Sequence, residues 1–216
     1  MKKYKIDLHI HSTLSHDGGI DFKDIQNIFN NKILDQIAIT DHNEIDFALD
    51  MAQRFPNKII VGEEIKTIQG EIIGLFLKKK IKKGMTLAET INAIRDQQGL
   101  CFLPHPYSTR RNGVGGLLLE VFYDLVDFIE GYNGRAIIGL SNRNALAFSK
   151  EHSLIYAANS DAHSIKGVGK VYNMVEENCI KDNLLEQLRT AEHMTGRPGL
   201  MEYLAPGLNK LKKRLR

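Results

Sequence analysis

The stretch Tyr4-Lys5-Ile6-Asp7-Leu8-His9-Ile10-His11-Ser12 decides how the chain reads. It is short, rich in β-favouring residues, and turns polar where it ends, the pattern of a buried strand running out to an exposed edge. In an extended chain, residues two apart project to the same side, so His9 and His11 present two imidazoles to one point. Such a pair serves equally as two metal ligands or as two half-buried structural histidines. The rest of the chain has to decide.

Outward from this stretch, short apolar segments alternate with amphipathic ones. Strands are expected at 4–10, 36–40, 58–65, 72–77, 100–103, 128–131, 154–159 and 170–175, all too short for helices. Helical patterns fall at 21–30, 44–55, 86–97, 136–150 and 181–191, with Thr86 and Glu89 at the spacing of a capping box. Alternation of this kind implies βαβ crossovers and a mainly parallel sheet. The segments 59–61 and 72–77, split by Gln69-Gly70, read instead as a local hairpin. Ser108–Gly116, with Gly113, Gly115 and Gly116, is expected to be a mobile loop.

The chemistry sits where these strands end. His16-Asp17-Gly18-Gly19 follows the first as a turn able to fold a further ligand back. Thr40-Asp41-His42-Asn43 ends the second strand and Gly62-Glu63-Glu64-Ile65 the third. Leu103-Pro104-His105-Pro106, Glu130-Gly131-Tyr132-Asn133 and Asn159-Ser160-Asp161-Ala162-His163 close later ones. Six of the eight histidines lie at these positions, and only His152 and His193 fall inside helical patterns. The C-terminal edge of parallel strands is where α/β proteins build their sites. Imidazole and carboxylate without thiolate suit zinc, manganese or iron. There are more donors than one tetrahedral ion can use, so two or three ions sharing a carboxylate are expected, with Glu64 the best-placed bridge.

An HxH near the start, an internal Thr-Asp-His, a Glu, a His-Pro dipeptide and a late Asp-x-His, in that order, resemble the PHP (polymerase and histidinol phosphatase) family. The marks run from Asp7 to His163. The resemblance implies a distorted seven-stranded β/α barrel, a two- or three-metal site and hydrolysis of phosphate esters. It implies that His9, His11, Glu64 and Asp161 hold one ion, that Glu64 and His105 share in a second, and that Asp17, His42 and His163 hold a third. His16 competes with Asp17, which is favoured because Gly18 follows it. Glu130 or Glu71 is left to complete the second position, and Asp41 is expected to orient a ligand histidine through a hydrogen bond. A water shared by two such ions loses its proton near neutral pH, so no side-chain nucleophile is required. His42, His163 and Asp161 are the candidate catalytic groups. Arg110 and Arg111 are the candidate phosphate contacts, with Arg135 and Lys166 behind them, although a solvated loop charge explains the pair equally well.

Composition narrows the rest. The chain has 216 residues, 43% hydrophobic and 25% charged, with formal net charge +3, which suits one globular domain. It is divided here into a phosphoesterase domain at 1–195 and a peripheral basic tail at 196–216. Charges interrupt every apolar run, so no membrane partner is expected. Cys101 and Cys179 form no CxxC pair, and a reducing cytoplasm is the default. A small phosphorylated substrate is expected and a long nucleic acid is not, because no basic stripe with interleaved aromatics is evident. The rivals are an amidohydrolase-type deaminase or amidase, which also starts from HxH, and a non-catalytic metal-bound scaffold.

Overall fold

The computed structural model describes residues 3–108, 111–136, 139–197 and 199–215. Eight strands form where they were expected: β1 (Tyr4–Ile10), β2 (Gln36–Ile39), β3 (Ile59–Lys66), β4 (Glu71–Leu75), β5 (Leu100–Leu103), β6 (Phe128–Asn133), β7 (Tyr156–Asn159) and β8 (Tyr172–Val175). A ninth, β9 (Glu192–Met194), replaces the helical setting expected for His193. The helices are α1 (Phe22–Asn30), α2 (Asp46–Arg54), α3 (Leu87–Asp96), α4 (Gly116–Phe122), α5 (Leu140–Glu151), α6 (Leu184–Thr190) and α7 (Leu200–Arg214). Side-chain caps fix two helix starts. Asp21 and Asp24 form a reciprocal box at α1, and Thr86 and Glu89 form the expected one at α3.

All nine strands belong to one sheet, ordered β7-β6-β5-β4-β3-β2-β1-β8-β9. The β1–β2–β3 and β5–β6–β7 runs are parallel, and the antiparallel β4 joins them through the hairpin read from Gln69-Gly70. Antiparallel β8 and β9 extend the sheet beyond β1. The class is the expected α/β barrel. Among the described residues its strand count is nine rather than seven, and its eight pairings divide evenly between parallel and antiparallel.

The barrel closes where β7 approaches β1, and buried amides do the work that a ladder does elsewhere. Ile10 bridges Ala162, and the Leu8 N–H donates to Asn159 Oδ1 at 3.1 Å. The Asn173 amide on β8 accepts from Ala158 N–H at 2.8 Å and donates to Ala158 C=O at 2.9 Å, a side chain standing in for a strand neighbour. Inside, Leu8, Ala38, Ile60, Ile73, Phe102, Phe128 and Ala157 fill the barrel, and Leu184 and Leu188 of α6 pack against them. Outside, Ile10, Ile37 and Ile39 pack against α1 and α2, while Ile65, Ile72 and Leu103 pack against α3 and α5.

Two register shifts aim the polar edge. One lies between Asp7 and Ile10 in β1. It lets Ile6 and Leu8 face the interior lower down, while Ile10 turns outward and His9 meets the interior ring of Phe102 at 6.5 Å. The other, between Glu130 and Tyr132 in β6, turns both Glu130 and Asn133 toward the site. Bulges commonly re-aim side chains beside functional sites.

Candidate metal centre

The strand ends bring His9, His11, Glu64 and Asp161 together in the barrel mouth. His9 Nε2 lies 3.0 Å from His11 Nε2 and 3.4 Å from Glu64 Oε2. His11 Nε2 is 3.3 Å from both Glu64 Oε2 and Asp161 Oδ1, and His9 Nε2 is 3.6 Å from Asp161 Oδ1. A tetrahedral ion with ligands at about 2.0–2.1 Å needs donor–donor edges of about 3.3–3.4 Å, close to these five separations; donor atoms of His9, His11 and Asp161 lie within 4.8 Å of one another, as do those of His9, Glu64 and His105. All four residues are buried.

Glu64 reaches further. Its Oε1 is 3.1 Å from His105 Nε2, and its Oε2 is 3.1 Å from His42 Nδ1. Glu71 lies against the same two histidines, at 3.8 Å from His42 Nδ1 and 4.0 Å from His105 Nε2. A third group forms around Asp17 Oδ1, 3.4 Å from His163 Nε2 and 3.6 Å from His42 Nε2. Donor atoms of His11, Asp17, His42 and His163 lie within 4.8 Å of one another, as do those of His42, Glu64 and Glu71. His16 is mostly exposed and belongs to none of these groups.

Glu130 and Glu71 face in different directions. Glu130 Oε1 accepts from His9 Nδ1 at 3.1 Å and Asn159 Nδ2 at 3.0 Å; its Oε2 accepts from His105 N–H at 2.7 Å and Asn133 Nδ2 at 2.8 Å. Its acceptor capacity is spent behind the histidines, where it fixes the tautomer that leaves His9 Nε2 free for the mouth. Glu71 instead lines the cleft.

Among the described residues Asp41 makes no hydrogen bond to a histidine, against the expectation that it orients one. Its carboxylate accepts from the Ser12 N–H at 2.6 Å and from the Ser12 hydroxyl, so it fixes the turn after the HxH pair. Arg110 lies outside the described residues. Arg111 Nη1 donates to Asp161 Oδ2 at 2.7 Å and to Asn133 Oδ1 at 2.6 Å. Arg135 approaches Asp161 Oδ1 at 3.5 Å, and both guanidinium groups line the cleft; Lys166 does not. The segment expected to be a peripheral tail forms α7, whose Pro206 and Lys210 line the same cleft.

The electrostatics call for cations. Asp17, Glu64, Glu71, Glu130 and Asp161 put five buried carboxylates in one small volume. Burial alone would raise the acids, yet the neighbouring His42 and His9 hold Glu64 well below the usual range, and Arg135 and His9 do the same for Asp161. At Glu71 the compensation from Asn112 and His9 is outweighed: burial and the Glu64 charge push it up to about 9. Burial brings His11 and His42 down to about 4, the neutral form in which imidazole ligates. Two candidate ligand residues also sit in the left-handed backbone region, His105 at φ 31° and Asp161 at φ 53°. His105 does so although Pro106 follows it, a strain of the kind that clusters at functional sites.

A family model described as PHP-associated matches residues 139–192. The uncharacterised protein MJ1587 of Methanocaldococcus jannaschii is 35% identical over 147 residues, spanning 62% of this chain and 86% of the relative. Among solved structures, a two-domain protein from Bacteroides vulgatus containing a predicted PHP-like metal-dependent phosphoesterase superposes with TM-score 0.69 at 19% identity, covering 97% of this chain and 70% of that one. The lesion-specific endonuclease Q from Pyrococcus furiosus gives 0.64 at 15% identity, covering 89% and 58%. With barrel, matched segment and ordered metal-ligand motifs in agreement, the chain belongs to the PHP domain family.

Proposed function

We propose that this protein hydrolyses a compact phosphate ester at a site holding two or three divalent ions. The observation that carries the reading is Glu64, whose two oxygens face different groups of donors: Oε2 meets His9 and His11, and Oε1 meets His105. On this reading His9, His11, Glu64 and Asp161 hold one ion. Glu64, His105 and Glu71 hold a second, and Asp17, His42 and His163 a third. Such ions, when bound, supply an activated water and neutralise charge on the phosphate oxygens.

The chain's own residues position the rest. Glu130 orients His9 from behind. Arg111 and Arg135 flank Asp161 at the cleft wall, where a planar fork suits phosphate oxygens. His42 and His163 face the cleft, but burial holds both below their usual value, so we assign them as ligands. The leaving oxygen then takes its proton from solvent at the mouth.

The cleft has a volume of about 260 Å³, small beside the roughly 300–1,000 Å³ of typical ligand pockets. This favours a phosphate head inside with its leaving group projecting out. A phosphorylated metabolite fits that description, and so does the end of an oligonucleotide. The endonuclease neighbour weakens the expectation against nucleic acid. The test is turnover by manganese- or zinc-loaded protein on phosphomonoesters, mononucleotides, a short oligonucleotide, a phosphotyrosyl peptide and simple amides. Metal-dependent release of phosphate or cleavage of a phosphodiester is expected. Turnover confined to the amides would favour the amidohydrolase rival, and none on any substrate would favour the scaffold.

A further inference from the structure

Two members of the third donor group, Asp17 and His163, sit on segments outside the named strands and helices, residues 12–20 and 161–164, and α7 touches both. Glu202, buried at 1% exposure, accepts the His163 N–H at 2.6 Å on Oε1 and the Ser164 hydroxyl at 2.5 Å on Oε2. Asn209 Nδ2 donates to Asp17 C=O at 2.9 Å and to His163 C=O at 3.0 Å, so one amide ties the two segments together. Lys213 Nζ donates to the carbonyls of Thr13 at 2.8 Å, Gly18 at 2.9 Å and Ser15. Its three donors are thereby spent on the turn that carries Asp17.

The barrel is cut to receive these groups. A Cβ on Gly167 would stand 2.6 Å from Glu202 Cδ, and one on Gly19 would stand 2.8 Å from Asn209 Nδ2. Burying a carboxylate away from water costs free energy unless its acceptors are filled, and Glu202 fills them with backbone and hydroxyl donors next to a candidate ligand.

We propose that α7 is a clamp for the third ion site, with Glu202, Asn209 and Lys213 as positioning residues that hold Asp17 and His163 at ligating separation. The clamp rests on the multi-ion reading of the mouth. It predicts that a helix outside the barrel acts on one ion position more strongly than on the other two: Asp161 shares the 161–164 segment, but the side chains of His9, His11, Glu64, Glu71, His105 and Asp161 make no hydrogen bond to these three side chains among the described residues.

The experiment uses the full chain as wild type, Glu202→Gln with Asn209→Ala, Lys213→Met and Lys213→Arg. Each is reconstituted with manganese or zinc and its bound ions are counted; amide hydrogen exchange is followed on the metal-stripped forms. The double variant and Lys213→Met should bind one ion fewer than wild type, or bind it at least tenfold more weakly, with melting temperature little changed. Amides of 12–20 should exchange faster in both, even without metal. Lys213→Arg should recover part of each effect, since a guanidinium also donates to carbonyls. Wild-type occupancy in the variants, or unchanged exchange of 12–20, overturns the clamp. A wild type that binds no ion overturns the multi-ion reading and the clamp's ion role together, and is recognised from that control alone.

Discussion

Two sets of buried carboxylates sit a few residues apart in this barrel and have opposite electrostatic characters. Glu64, Asp161 and Asp17 are surrounded by imidazoles and guanidinium groups and are held below their usual range despite burial. Asp7 and Asp41, equally buried, hold serines: Asp7 takes the Ser160 hydroxyl at 2.5 Å, and Asp41 takes the Ser12 hydroxyl and N–H. Desolvation outweighs those hydrogen bonds and pushes both up to about 7. Depth inside the protein therefore does not distinguish a candidate ligand from a strut. The neighbours do: cationic or ligating nitrogen on one side, neutral donors on the other.

The contrast breaks most visibly at Glu64. Glu64→Gln keeps the shape and removes the shared charge. It should lower turnover by at least about 10²–10³-fold, the scale of losing one preorganised electrostatic group, while circular dichroism and melting stay near wild type. Near-normal turnover at full metal occupancy would show that Glu64 does not bridge. Glu130 occupies the boundary between the two sets, since it touches His9 without facing the cleft. Glu130→Gln should weaken metal binding or activity by about 10–100-fold, the range for a partner of a ligand histidine. A metal titration matching wild type would return it to a purely structural role.

Arg111 offers a subtler test. Arg111→Ala should leave melting nearly unchanged and lower kcat/KM by about one to two decades, since charge-assisted hydrogen bonds are worth about 1.5–3 kcal/mol. Lysine should rescue only part, because a point charge lacks the planar fork. Steady-state kinetics on one substrate that wild type turns over decide it, and an unchanged kcat/KM would leave the metals as the only grip on phosphate.

The smallest effect belongs to the struts. Asp41 binds more protons folded than unfolded between its ordinary value of 3.8 and about 7. Its contribution to stability therefore falls as pH rises through that window and is flat above it. In chelated protein, denaturant melts from pH 4 to 7 should show part of this slope vanish in Asp41→Asn, and an identical slope in the variant would argue that Asp41 is ionised throughout.

Much of this was legible in the chain, for reasons that also explain the failures. The eight predicted strands carry their own apolar pattern, and Thr86 with Glu89 advertises a cap locally. β9 does not: three residues long, it exists because Tyr172, Asn173 and Met174 offer it a partner, a non-local fact. α7 lies in the segment expected to be a peripheral tail, and it runs through Pro206 and Gly207, residues that ordinarily interrupt a helix. The order of His and acid at strand ends gave the ring of donors, but not who faces whom. Glu71 and Glu130 differ only in which way the strand aims them, and that depends on a register shift in β6 and on β4 running antiparallel. Asp41 next to His42 suggested a carboxylate orienting an imidazole, yet the turn after His11 brings Ser12 closer. In the loop from Ser108, expected to be mobile, Asn112 C=O accepts from Glu71 N–H at 3.0 Å, so its described part is tied to β4.

On the proposed reading these donors form more than one ion position. Its most direct test is elemental analysis of wild-type protein purified without chelator, then stripped, reconstituted and titrated to saturation with manganese or zinc. Two or three transition-metal ions per chain are expected. A single ion, or none, in fully reconstituted protein would contradict that reading.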